Sequence, residues 1–333
     1  MKELLARLAG AFGPSGSEDT VRSLIKKEIE GLSEEVFEDN LGNLVAFKGS
    51  HEAAKIMVAA HMDEIGFMVI FIDDNGFLRF TNIGGVLKNS LVGSSVVFQN
   101  GTVGVIAQEK IKDRKELDYN KMFIDIGARN KEEAQEKIKI GDTAVFSSAI
   151  NQEGTRLMGK SMDNRVGCAL LIEAMRRLPA SLPQGVNFVF TVQEEVGLRG
   201  ARPASYSLKP HYGLAVDVTR VGDTPEPEYK MDVSLGKGPA VKVKDSSIIC
   251  HPKVIELMVK TAEKNNIPFQ MEVLERGGTD AGAIHLSREG IPSGVLSIPC
   301  RYIHTSTEMV DLNDLENGVM FLVELLKDKW PSE

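Results

Sequence analysis

Five polar segments interrupt the apolar, strand-like runs of this sequence, and they share one chemistry. His61-Met62-Asp63 follows the run KIMVAA at 55–60. Gly159-Lys160-Ser161-Met162-Asp163-Asn164-Arg165 opens a helical pattern, and Gln193-Glu194-Glu195-Val196-Gly197 ends the run VNFVFTV. Asp217 closes YGLAV, and His304 follows GVLSIPCRYI. The residue types are imidazole and carboxylate, without thiolate. That is a ligand set for zinc or a similar divalent transition metal in a hydrolytic site. Two histidines with three or four carboxylates exceed the three ligands of one catalytic zinc. They suit two metals ~3.5–4 Å apart, bridged by one carboxylate and a water.

Each residue also has an ordinary reading. A lone His after a strand is more often a satisfied polar histidine. Asp63 fits a helix cap or a turn, and Glu194 with Glu195 fits a solvated strand end. Asp163 before Asn164 suits an N-cap, and Asp217 suits an Asx-turn. Five such residues at five strand or helix ends are much less expected by accident. In open α/β sheets, ligands gather beyond the carboxyl ends of the strands.

The elements that must position them alternate along the chain. Val21, Leu24, Ile25 and Ile29 recur at helical spacing after Ser17 and Glu18. Residues 67–158 have another texture. GFMVIFI, the turn Asp73-Asp74-Asn75-Gly76 and FLRFTNI form one hairpin signal; SSVVFQ and TVGVIAQ around Asn100-Gly101 form another. MFIDIGA and TAVFSSAI continue the short strands, which predicts a small barrel or sandwich. From 159 onward strands alternate with helices, as in a parallel or mixed α/β sheet. The simplest architecture is one α/β domain, 1–66 plus 159–333, carrying a β-rich insertion at 67–158.

Composition narrows the class. The chain has 333 residues, 26% charged, with 39 Lys+Arg against 47 Asp+Glu and a net charge of −8. An acidic chain lacks the basic footprint of a nucleic-acid binder. No apolar run approaches the ~18 residues of a membrane span. MKELLARLAGAFGPSG at the N-terminus alternates charged and apolar residues, unlike a signal peptide. Cys168, Cys250 and Cys300 include no CxxC, which fits a reducing cytoplasm. No nucleic-acid or membrane partner is expected.

H-x-D, K-S-M-D-N-R, E-E-V-G, V-D and R-Y-x-H-T, in this order, resemble the cocatalytic zinc aminopeptidases of metallopeptidase family 42. These include glutamyl, leucyl and deblocking aminopeptidases that form tetrahedral (TET) particles. The resemblance covers nearly the whole chain, insertion included. KSMDNR with RYIHT is its most specific part. It implies a zinc-exopeptidase (phosphorylase/hydrolase-like) catalytic domain with an inserted β-rich, barrel-like domain for dimerisation and oligomerisation. It also implies two divalent ions per subunit, zinc or cobalt. His61, Asp163 and Asp217 would hold one. Asp163, Glu195 and His304 would hold the other, with Asp163 bridging. Glu194 would be the general base, and Asp63 would fix the tautomer of His61 by accepting its second N–H. The Asp163–Asn164 peptide is often cis in such sites. Gly278 and Thr279, in the segment Gly277–Gly282, and Arg301 would border the substrate pocket. The implied reaction removes N-terminal residues from peptides with a free N-terminus. A water bridged between the metals would give its proton to Glu194, which returns it to the leaving amine. The implied assembly is a homododecamer built from dimers.

Other readings use the same residues. A di-zinc carboxypeptidase or N-acyl deacylase shares the ligand types, but its dimerisation insertion normally follows the EE segment. An endoglucanase needs two carboxyls ~5–9.5 Å apart and is helped by aromatic platforms; this chain has one Trp and 6% aromatics. A non-enzymatic, metal-stabilised scaffold predicts a closed ligand shell without a base, against the pairing of Glu194 with Glu195.

Overall fold

The uncharged apolar runs become strands buried on both faces, as parallel strands covered by helices must be. The computed structural model describes residues 1–51, 55–228 and 230–330. Residues 52–54, 229 and 331–333 lie outside the described residues. The chain first lays down β1 (Glu35–Glu38), β2 (Leu44–Gly49) and β3 (Lys55–His61). It then leaves to form β4 (Gly66–Ile72), β5 (Leu78–Ile83), β6 (Ser95–Phe98), β7 (Val103–Gln108), β8 (Met122–Asp125) and β9 (Thr143–Phe146). It returns through β10 (Asn151–Glu153) and β11 (Arg156–Gly159). β12 (Gly185–Thr191), β13 (Tyr212–Thr219), β14 (Ala240–Lys244), β15 (Gln270–Val273), β16 (Ser293–Pro299) and β17 (Glu308–Asp311) follow.

Eight strands make the main sheet, in the order β1-β2-β12-β3-β13-β16-β14-β15. The sheet is mixed. Its centre, β12-β3-β13-β16, is parallel, and β2 and β14 flank it antiparallel. Side-chain alternation serves two layers. Ile56, Val58, Ala60, Phe188 and Phe190 pack with the helices Asp19–Glu28, Met162–Arg177 and Leu312–Lys327. Met57, Ala59 and Val189 face the shorter helices Ala201–Leu208 and Asp280–Ile284.

The short strands from 66 to 146 close into a barrel, in the order β4-β5-β8-β7-β6-β9. The sequence left barrel and sandwich open; the pairing of β4 with β9, Phe67 opposite Ala144, closes the ring. Phe67 stacks edge-on against Phe80 and Phe146, each at 5.2 Å, in the barrel core. Both expected hairpins form. Asp73 accepts the N–H groups of Asn75 and Phe77, and Gly76 and Gly101 take the positive φ their turns need. β10 and β11 are not in the barrel: β11 pairs with β17, Gly159 opposite Glu308.

Candidate active site

Register alone brings four of the five polar segments together. Thr191 at the end of β12 lies opposite His61 at the end of β3. β13 runs beside β3, Ala215 opposite Ala59, so Asp217 follows two residues later at the same edge. β16 pairs with β13, and the chain beyond it carries His304 on a turn with φ 67°. The fifth segment comes from the helix Met162–Arg177. Its start is pinned to the sheet: Asn164 Nδ2 donates to Val216 O at 2.8 Å, and Gly167 N donates to Asn164 Oδ1 at 2.9 Å. The Asp163–Asn164 peptide is cis.

Asp163 lies between two groups. Its Oδ1 is 3.0 Å from His61 Nε2, and its Oδ2 is 3.3 Å from His304 Nε2. Asp217 Oδ1 is 3.7 Å from His61 Nε2, and Glu195 Oε2 is 3.1 Å from His304 Nε2. The triads His61–Asp163–Asp217 and Asp163–Glu195–His304 each bring ligand atoms within 4.8 Å of one another. Glu194 joins neither triad, yet its Oε2 is 3.8 Å from His61 Nε2 and it lines the same cavity.

Both imidazoles turn Nε2 to the cluster and Nδ1 outward. His304 Nδ1 donates to Gly85 O at 3.0 Å, and His61 Nδ1 donates to Asp63 O at 3.2 Å. The expected role of Asp63 therefore needs refining. Its carboxylate is 3.4 Å from His61 Nδ1, but its shorter contacts go elsewhere. It accepts Glu194 N at 3.0 Å, Glu195 N at 3.2 Å and Ser15 Oγ at 2.6 Å. Asp63 fixes the turn that carries both glutamates as much as it orients the histidine.

The electrostatics match a cation-binding cluster. Burial, with the charges of Asp217 and Glu195, pushes Glu194 well above the usual carboxylate range. Burial, with Asp163, lifts Asp217 in the same way. Asp163 goes the other way: burial opposes its charge, but hydrogen bonds from His304 and His61 hold it below that range. Burial disfavours charged His61 and His304, yet the surrounding carboxylates outweigh it and raise both. Four carboxylates gathered out of water repel one another unless cations compensate them. Glu195 Oε1 is buried with no hydrogen-bond partner. An orphaned carboxylate oxygen beside two outward-anchored histidines fits divalent metal ions.

A cavity of about 440 Å³ opens on this cluster, walled by Gly197, Leu198, Thr219, Ser247, Leu274 and Gly278 among others. Gly278 thus reaches the cavity wall. Thr279 is buried behind it, 1% exposed. Arg301 turns away, pairing with Asp223 at 2.8 Å and lining a neighbouring cavity. Three supporting residues carry no signal of a site role in the sequence. Ser15 holds Asp63. Glu18 accepts Gln193 N at 3.2 Å, bracing the turn before Glu194. Glu308 accepts Asp163 N at 2.9 Å and His304 N at 2.8 Å, and burial together with the Asp163 charge pushes its pKa up to about 8.

Comparison with known proteins identifies the family. The family described as M42 glutamyl aminopeptidase matches residues 42–321. A lysyl aminopeptidase of Pyrococcus furiosus is 36% identical over 346 residues, covering 99% of this chain and 98% of its own. Aminopeptidase APDkam598 of Desulfurococcus kamchatkensis superposes with a TM-score of 0.93 at 40% identity, over 98% and 94% of the two chains. The TET1 peptidase of Pyrococcus horikoshii, described as assembling into a tetrahedron or a large octahedral shell, gives 0.89 at 35% identity over 98% and 99%. The chain belongs to the M42 glutamyl aminopeptidase family and is a metal-dependent aminopeptidase.

Proposed function

We propose that this aminopeptidase works with two divalent ions, zinc or cobalt, on peptides with a free N-terminus. His61, Asp163 and Asp217 would hold one ion; Asp163, Glu195 and His304 would hold the other. The observation that carries this reading is the split of Asp163, one oxygen toward each histidine, 3.0 and 3.3 Å away. When bound, such ions supply Lewis acidity and lower the proton affinity of water. Glu194 accepts the proton of the attacking water and returns it to the leaving amine. Burial and neighbouring carboxylates raise its pKa, and compensating cations would return it to a base. Asp63 positions it through the Glu194 N–H. Gly278 borders the substrate, with Thr279 behind it, whereas Arg301 is held by Asp223 at the wall of the neighbouring cavity.

We further propose that residues 1–66 and 159–333 form the catalytic unit and 67–158 the insertion that mediates assembly into a dodecamer, acting in the cytoplasm. The likeness to a shell-forming peptidase supports the assembly. Among the described residues no helix is long and apolar enough to cross a membrane. The test is hydrolysis of aminoacyl p-nitroanilides. Unblocked anilides should be cleaved and N-acetylated ones spared. Equal cleavage of both would reject the requirement for a free amine.

A further inference from the structure

We propose that residues 82–85, the end of β5 and the turn after it, are a positioning element for His304, so that one of the two ions depends on the inserted barrel and the other does not. The inference rests on the two-ion reading above. His304 follows β16 of the catalytic sheet, but its Nδ1–H donates to Gly85 O, just beyond β5 of the barrel, at 3.0 Å. This bond selects the tautomer that leaves Nε2 free to face Glu195 and Asp163.

The loop is shaped to deliver that carbonyl. Asn82 Nδ2 donates to Gly84 O at 2.6 Å, closing the turn on itself. Gly84 takes φ +74°, and a Cβ there would stand 2.8 Å from Ile65 Cγ2 and 3.2 Å from Glu195 Cβ. A Cβ on Gly85 would stand 2.8 Å from His304 Nδ1 and 3.0 Å from its Cε1. Two adjacent glycines thus let the barrel backbone press against Glu195 and His304, two members of the same triad. The other triad has its own support. His61 Nδ1 donates to Asp63 O, within the catalytic sheet and its following turn. The barrel therefore completes one ion site besides any part it has in assembly.

The test uses the full-length protein with Gly85→Ala and Asn82→Ala, stripped of metal and titrated with zinc. Bound ions are counted by elemental analysis and affinities read by chelator competition. Gly85→Ala places a methyl against the imidazole. It should weaken one of the two ions by about 10–100-fold, the usual effect of losing an outer-shell partner, and leave the other unchanged. Asn82→Ala should act in the same direction and less strongly, and it adds no steric bulk. Circular dichroism melts verify that both variants fold. The unaltered protein, run in parallel, separates the two claims. If it takes fewer than two ions, the two-ion reading falls and this inference with it. If it takes two, and the folded variants bind both ions with unchanged affinity or lose both equally, this inference alone is overturned.

Discussion

Glu194 and Glu195 are adjacent acids on one turn, and composition cannot tell base from ligand. Their surroundings differ. Glu195 stands 3.1 Å from His304 and belongs to a triad; Glu194 faces the cavity outside both triads. Glu194→Gln should lower kcat by about 10²–10⁴-fold, the usual contribution of a general base, while both ions stay bound. Glu195→Gln should release one ion, with partial rescue by excess metal. Metal stoichiometry measured beside kcat decides, and the opposite pattern would reverse the two roles. Asp63→Asn puts an amide where the carboxylate accepts two N–H groups and the Ser15 hydroxyl. One acceptor becomes a donor facing a donor. The expected result is a loss of kcat larger than any loss of metal, seen by assaying the metal-saturated variant. The residues of the two triads stood out in the sequence because each ends an apolar run or opens a helix. Ser15, Glu18 and Glu308 did not, because they act on backbone N–H groups or on another side chain across the fold, and such contacts leave no periodicity. Glu18 reads as the start of a helix, and it is the residue before Asp19–Glu28, but its carboxylate reaches back to Gly16 and across to Gln193.

The helix Met162–Arg177 shows how an element holds a site. Asp163 is at its start, and its body is locked into the core. Leu170 is fully buried, and the facing Gly318 lets it approach: a Cβ there would stand 2.8 Å from Leu170 Cδ2. Leu170→Ala should lower the unfolding free energy by about 2–5 kcal/mol, as large-to-small core changes do. Urea titration reads the shift. The kcat of the folded protein should be preserved, since Leu170 lies two turns from Asp163. At this scale much was legible. Apolar runs, Gly-marked turns and 3.6-residue periods gave the strand and helix alternation and the two barrel hairpins. Barrel closure was not, because Phe67 and Ala144 pair far apart in sequence. The insertion of β12 between β2 and β3 is equally non-local. Nor was the partner of β11, whose strand β17 brings Glu308 beneath Asp163 and His304.

The barrel turns apolar side chains outward as well as inward. Ile70, Phe71, Val103 and Val105 of β4 and β7 are 52, 50, 57 and 44% exposed. Apolar groups in such positions favour contact with another protein surface. Light scattering on the full-length protein should give a mass near twelve chains of 36.4 kDa, and a strict monomer across micromolar concentrations would refute the assembly. Hydrolysis should need two ions, bridged by Asp163. This requirement is tested most directly by stripping the protein with a chelator, adding zinc or cobalt back stepwise, and measuring bound ions by elemental analysis alongside cleavage of an unblocked aminoacyl anilide. Metal-free protein should show no cleavage, and the full rate should appear only at two ions per chain. Undiminished cleavage in protein verified to be metal-free, or full rate with a single ion, would contradict the requirement.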